Sequence, residues 1–106
     1  MKIVFLPLAK EQLLNVFDLI AIHSEKAAVK TYNNILDEID RLIGFPKIAK
    51  VEEKLNDLDY EFRSLVVLRR YKVVYFIKES TIFISMIWDC RMNPKDFRNK
   101  VVKSLK

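Results

Sequence analysis

The chain has 106 residues, 51% hydrophobic and 31% charged, a balance that excludes both a disordered chain and a membrane-embedded one. One cysteine, Cys90, and one histidine, His23, exclude an internal disulfide and a dedicated transition-metal site. The net charge of +5 is uneven: residues 1–46 carry five basic and six acidic side chains, residues 47–106 fourteen and eight, a polarity that suits contact with something anionic as well as simple solubility.

In chain order, Ile3–Leu6 reads as a short strand stopped by Pro7. Its apolar run is too short for a secretion signal, and no run reaches the ~18 residues that cross a bilayer, so a soluble cytoplasmic protein without membrane contact is expected. From Leu8 the period changes. Leu13, Phe17 and Ile20 recur at helical spacing, with Leu14 and Ala21 widening the stripe, and the helix ends near His23. Ser24 is placed to cap a second helix, and Glu25 suits its dipole. Its apolar positions are Ala28, Tyr32, Ile35, Leu36, Ile39, Leu42 and Ile43. Gly44, the sole glycine, stands where a left-handed residue would end this helix, with Phe45 folding back and Pro46 preventing continuation. The two helices form an antiparallel hairpin.

Residues 47–60 are polar and read as a connecting loop of functional length. Leu65–Leu68 is a continuous apolar run, expected as an inner strand covered on both faces. Tyr71–Lys78 and Thr81–Trp88 alternate with period 2 and complete an antiparallel meander, its breaks at Arg69-Arg70 and Glu79-Ser80. Asn93-Pro94 ends the last strand, and Lys95–Lys106 forms a short C-terminal helix or tail. The expected fold is a single α+β domain over residues 1–106, with a helical hairpin on an antiparallel sheet of about four strands.

One glycine cannot build a phosphate-binding loop or a dinucleotide fingerprint, and no cofactor is expected. His23 lies at a helix end far from Cys90, which argues against a Cys-His or Ser-His-Asp site. Cys90 reads as a semi-buried thiol. The basic residues carry more information. Arg63 opens a strand, Arg69 and Arg70 sit at a hairpin, Arg91 closes the last strand, and Lys47, Lys50 and Lys54 lie in the loop. Together they form an expected concave basic face at the sheet ends, where guanidinium forks suit phosphate and Tyr60, Phe62 or Tyr71 suit base stacking. The alternative for each is a solvated turn residue.

The segments Phe62-Arg63-Ser64-Leu65-Val66-Val67-Leu68, Tyr71-Lys72-Val73-Val74-Tyr75 and Ile82–Pro94, in that order and spacing, resemble the RelE/ParE toxin superfamily. The resemblance covers nearly the whole chain. It implies the toxin of a type II toxin–antitoxin pair, blocked by a small acidic antitoxin. RelE-like members enter the ribosome and cut mRNA with lysine and arginine plus a tyrosine, or with glutamate plus a histidine, near the C-terminus; ParE-like members inhibit DNA gyrase and lack that set. Carried over by position, Arg63 matches the arginine opening the second sheet strand and Arg91 the arginine after the last strand, implying a scissile-phosphate clamp, with Lys50 or Lys54 matching the loop lysines; Arg69, Arg70 and Lys47 are expected nucleic-acid contacts from their charge and position alone. The resemblance leans to mRNA cleavage, with gyrase inhibition or a non-toxic antitoxin-binding member as alternatives. No histidine or tyrosine follows Arg91, and Glu52, Glu53 or Glu61 remain as candidate bases.

Overall fold

The computed structural model describes residues 1–106. Its elements are β1 (Lys2–Phe5), α1 (Pro7–Ala21), α2 (Glu25–Arg41), β2 (Lys50–Val51), β3 (Arg63–Val67), β4 (Tyr71–Lys78), β5 (Thr81–Asp89) and α3 (Phe97–Ser104), with single 3₁₀ turns at Glu53–Leu55 and Pro94–Asp96. This is the expected α+β class. No helix is long and apolar enough to cross a membrane.

The sheet has five strands in the order β1-β5-β4-β3-β2. It is mixed rather than purely antiparallel, because β1 runs parallel to β5, with Ile3 opposite Ile82 and Phe5 opposite Ile84. The extra strand, β2, lies inside the segment expected as loop. Its two residues, Lys50 and Val51, are too few for a periodic signal, and pairing with Ser64 and Arg63 defines them.

Period-2 alternation divides the sheet into two faces. On one, Ala9 and Leu13 of α1 and Ile35 and Ile39 of α2 bury against Val67, Val73, Tyr75, Ile82, Ile84 and Ile87. On the other, Val74, Phe76, Met86 and Trp88 bury against Leu55, Phe62, Phe97 and Val101. β4 and β5 are therefore covered on both sides. β3 is not: Val66 and Leu68 are exposed, which corrects the expectation for the Leu65–Leu68 run. The run is continuous in apolarity, but α3 covers only the β4–β5 half of the second face. Within that half, the Ser85 and Ser104 hydroxyls pair in the core, and Ser104 also donates to the Val101 carbonyl.

Local signals behave unequally. Ser24 caps α2, its hydroxyl accepting from the Ala27 amide at 3.1 Å. Gly44 does not adopt positive φ, and Phe45 points to solvent instead of closing on the helix. The helix end tightens into i→i−3 bonds, Leu42 to Ile39 and Ile43 to Asp40, so no left-handed residue is needed. Positive φ falls on the hairpins instead, at Leu68 and Arg69 (54° each), Glu79 (54°) and Ser80 (63°). Lys78 pairs with Thr81, so Glu79-Ser80 is a two-residue turn with both residues left-handed, a conformation that favours Asn-Gly.

Two expectations follow. Glu79→Asn with Ser80→Gly raises stability by about 1 kcal/mol, read as a higher urea midpoint at unchanged slope. Gly44→Ala is stabilising by roughly 0.5 kcal/mol, because an added Cβ meets only the Arg41 carbonyl oxygen, at 3.9 Å. A lower midpoint for Gly44→Ala counts against the stated backbone conformation.

Candidate functional site

Arg63 is the first residue of β3 and sits opposite Tyr75, whose ring is in the core under the helical hairpin. Its guanidinium therefore rises on the hairpin face. There Nη1 donates to the Ala49 carbonyl at 2.8 Å and the Lys47 carbonyl at 3.3 Å, while Nη2 donates to Glu61 Oε1 at 3.1 Å. The side chain is only 15% exposed. Beside it, the Tyr75 hydroxyl donates to the Pro46 carbonyl at 2.7 Å. Burial pushes the Tyr75 phenol above its ordinary value, against the Ala49 peptide and the Arg63 charge, so at neutral pH it remains a donor. Both side chains act as tethers for residues 46–49.

Arg91 lies two residues past β5 and folds back on Asp89. Its Nε and Nη2 donate to the two carboxylate oxygens at 3.2 and 3.0 Å, and its amide donates to Oδ1 at 2.9 Å. Arg70 approaches the same carboxylate at 3.7 Å and lies over the Tyr71 ring. Burial alone would raise the Asp89 pKa, but hydrogen bonds from Arg91 and the charges of Arg91 and Arg70 hold it below its ordinary value. Arg69 stands exposed at the turn.

The expected meeting of Arg63 and Arg91 does not occur. β3 and β5 both run antiparallel to β4, so they point the same way, and the start of one lies at the opposite end from the finish of the other. Arg63 is level with Tyr75 and Asp89 with Tyr71. Those four residues are roughly 13 Å along the strand. Lys47 belongs to the tethered loop with Arg63, while Arg69 and Arg70 lie at the Arg91 end. Nor are the suggested aromatics free to stack: Phe62 and Tyr71 are buried, and Tyr60 stacks on Phe76 with ring centres 4.1 Å apart.

Lys50 and Lys54 are brought together, on the uncovered part of the second face. They line a cavity of about 390 Å³ with Glu52, Ser64, Val66 and Lys72. A second cavity, about 200 Å³, shares Glu52, Lys54 and Lys72 and continues past Trp88 and Cys90 to Phe97. The two form one trough. At its centre Glu52 Oε2 accepts from Ser64 Oγ at 2.7 Å and from Lys72 Nζ at 3.3 Å, and the Glu52 side chain is only 12% exposed. Lys72 Nζ lies 5.2 Å from the Phe97 ring centre. Sequence reasoning passed over Ser64 and Lys72, although each is a polar position on the same face of adjacent apolar strands. Cys90 borders the trough and is exposed rather than semi-buried, because it stands one residue past the end of β5; partial desolvation still raises its thiol pKa, away from the reactive thiolate. His23 is exposed in the turn between α1 and α2. No three His, Cys, Asp or Glu side chains come together anywhere to hold a metal.

A helical hairpin packed on one face of a mixed sheet, with a short helix on the other, can be compared with known proteins. Residues 3–94 match the family model described as ParE toxin of type II toxin–antitoxin system, parDE. The chain belongs to the ParE toxin family. No curated protein matches it. Among solved structures, a chain from the chromosomal ParDE toxin–antitoxin system of P. aeruginosa superposes with a TM-score of 0.69 at 16% identity, over 84% of this chain and 95% of that one. At that identity the likeness speaks for fold. The family match places the chain in the RelE/ParE superfamily that the strand motifs resemble.

The two arginines carry different expectations. Arg63→Ala removes a donor from two loop carbonyls and lowers stability by roughly 2–3 kcal/mol, measured by denaturant titration. Arg91→Ala leaves the neutral-pH midpoint nearly unchanged, because the Arg91 side chain is 66% exposed and Arg70 remains beside the Asp89 carboxylate. The Asp89 pKa is lowered on folding, so the stability contributed by its pairs is present above the unfolded value of about 3.9 and is lost as pH falls through the folded one. The small gap between wild type and Arg91→Ala therefore closes below about pH 4; a gap that widens there contradicts the assignment.

Proposed function

We propose that this ParE-family chain is the toxin half of a type II toxin–antitoxin pair in the cytoplasm, that an acidic antitoxin restrains it, and that it stops growth by gripping a protein, DNA gyrase. The observation carrying this reading is the engagement of the two arginines needed for a phosphate clamp. Arg63 is bound to the carbonyls of residues 47 and 49, Arg91 is closed on Asp89, and they occupy opposite ends of the sheet. The family matched is the ParE one, the branch that the resemblance of the strand motifs links to gyrase rather than to mRNA. Inhibition through an interface needs no general base, in keeping with a C-terminal segment after Arg91 that carries no histidine or tyrosine.

The trough supports a second reading, cleavage of mRNA on the ribosome. Lys50, Lys54 and Lys72 supply positive charge for a phosphate; of the two carboxylates lining the cavity, Glu52 and Glu53, Glu52 is the one hydrogen-bonded to Ser64 and Lys72. A glutamate there would take the proton of a ribose 2′-hydroxyl while the lysines neutralise charge building on phosphorus.

Induced expression in a growing culture separates the two. Gyrase inhibition produces DNA breaks, a damage response and filamentation while amino-acid incorporation continues over the first minutes. Cut transcripts with intact chromosomes reject the gyrase reading in favour of the trough, and Glu52→Gln then reduces cleavage by at least about 100-fold, the lower end for a general base.

A further inference from the structure

The chain has six arginines, and four of them are engaged. Arg41 donates to Glu38, Arg63 to the Ala49 carbonyl, Arg91 to Asp89 and Arg98 to Asp57. The other two, Arg69 and Arg70, are consecutive, and their side chains donate no hydrogen bond to the protein. Arg69 is exposed. Arg70 stands 3.7 Å from Asp89 Oδ2, too far for a hydrogen bond, and its Nε is buried without a partner. The Tyr71 ring, 5.2 Å from the Arg70 guanidinium, holds that group in place without using its donors. A guanidinium carries five donors in a fixed fork, so two neighbouring forks with no protein acceptor are ready for an anion.

The turn between β3 and β4 presents them. The Arg70 amide donates to the Val67 carbonyl at 3.1 Å, closing the chain tightly over Leu68 and Arg69, both at a φ of 54°. The Glu79-Ser80 turn is equally left-handed, so backbone conformation does not set the first turn apart; its charge does. Asp89 is the one carboxylate within salt-bridge reach of Arg70, and Arg91 already holds it through three hydrogen bonds. Asp18 and Glu25, the acids flanking the α1–α2 turn, pair with neither arginine. With Arg91 and Asp89 closed on each other, Arg69 and Arg70 remain as surplus positive charge. Neither lines the trough, so an anion meets them on the open surface. That suits the phosphates of a nucleic-acid backbone, which offer regular charge without requiring an enclosing shape.

We infer that Arg69 and Arg70, on the β3–β4 turn, bind the phosphodiester backbone of the duplex DNA that gyrase carries, beside the toxin's grip on the enzyme itself. The inference rests on the proposed gyrase reading and adds a second component to the target. Each fork accepts phosphate oxygens, the contact is indifferent to base sequence, and it weakens steeply as salt rises.

The test is Arg69→Gln with Arg70→Gln in the full chain. Neither arginine donates a side-chain hydrogen bond to the protein, so the circular dichroism spectrum and melting point match wild type. Binding to a fluorescein-labelled duplex is followed by anisotropy as salt is raised. The variant loses at least tenfold in affinity at low salt, and the slope of log affinity against log salt falls by about 1.8, the share of two phosphate contacts. Arg69→Lys with Arg70→Lys keeps most of that slope. Affinity of the glutamine variant for purified gyrase free of DNA stays within about twofold of wild type, while its inhibition of supercoiling weakens. A slope within about 0.5 of wild type overturns the inference and leaves the gyrase reading standing. A matching loss of affinity for DNA-free gyrase also overturns it, since the turn, with Leu68 exposed beside it, then belongs to the protein interface. So does a preference for single-stranded RNA that the same variant loses. A wild-type chain that neither binds nor inhibits gyrase overturns this inference and the functional reading together.

Discussion

The carbonyls of Pro46, Lys47 and Ala49 turn inward onto two side chains of the sheet, the Tyr75 hydroxyl and the Arg63 guanidinium. A main chain crossing the end of an apolar core needs donors for its carbonyls, and few neighbouring side chains can supply them without further loss. Tyr75 and Arg63 sit opposite one another on adjacent strands, so one cross-strand pair serves the whole segment. Much else depends on it. The pair delivers the chain from α2 to the sheet edge, where β2 adds two residues to β3. It also draws Arg63 to the hairpin side and leaves Ser64 as the polar group of β3 on the other.

The trough follows from an imbalance in coverage. The hairpin spans its face from β5 to β3, whereas α3, eight residues long, shelters only part of the opposite face. Ser64 and Val66 lie beyond its reach, Lys72 meets only its first residue, Phe97, and the Glu53–Leu55 turn walls the far side. Glu52 is drawn in by a hydroxyl and an ammonium, which make burial of its carboxylate tolerable. A fork between Arg98 and Asp57, at 2.7 and 2.6 Å, joins α3 to the chain that follows that turn.

Much of this architecture was legible in the residues. The helical hairpin, the Ser24 cap and the three long strands follow from period and punctuation, because each is decided locally. What escaped was decided at a distance. β2 exists only through its partner, the parallel placement of β1 depends on which edge is vacant, and Gly44 lost its expected role to a tightened helix end. The site was the weakest part, and for a physical reason. Identity says that arginine suits phosphate, but not that Arg63 would meet loop carbonyls first. The separation of Arg63 from Arg91, in contrast, was implicit in the meander, whose first and third strands must run the same way.

The pairing of β1 with β5 sets the timing of assembly. Ile3 has no sheet neighbour until Ile82 has been made, a delay of roughly 4–16 s at ordinary rates of synthesis. Until then one side of the hairpin core stands open, since Phe5, Ile82 and Ile84 complete it. For most of its translation a nascent chain of this protein thus lacks the strand that closes its core, and the complete fold exists only once β5 has emerged.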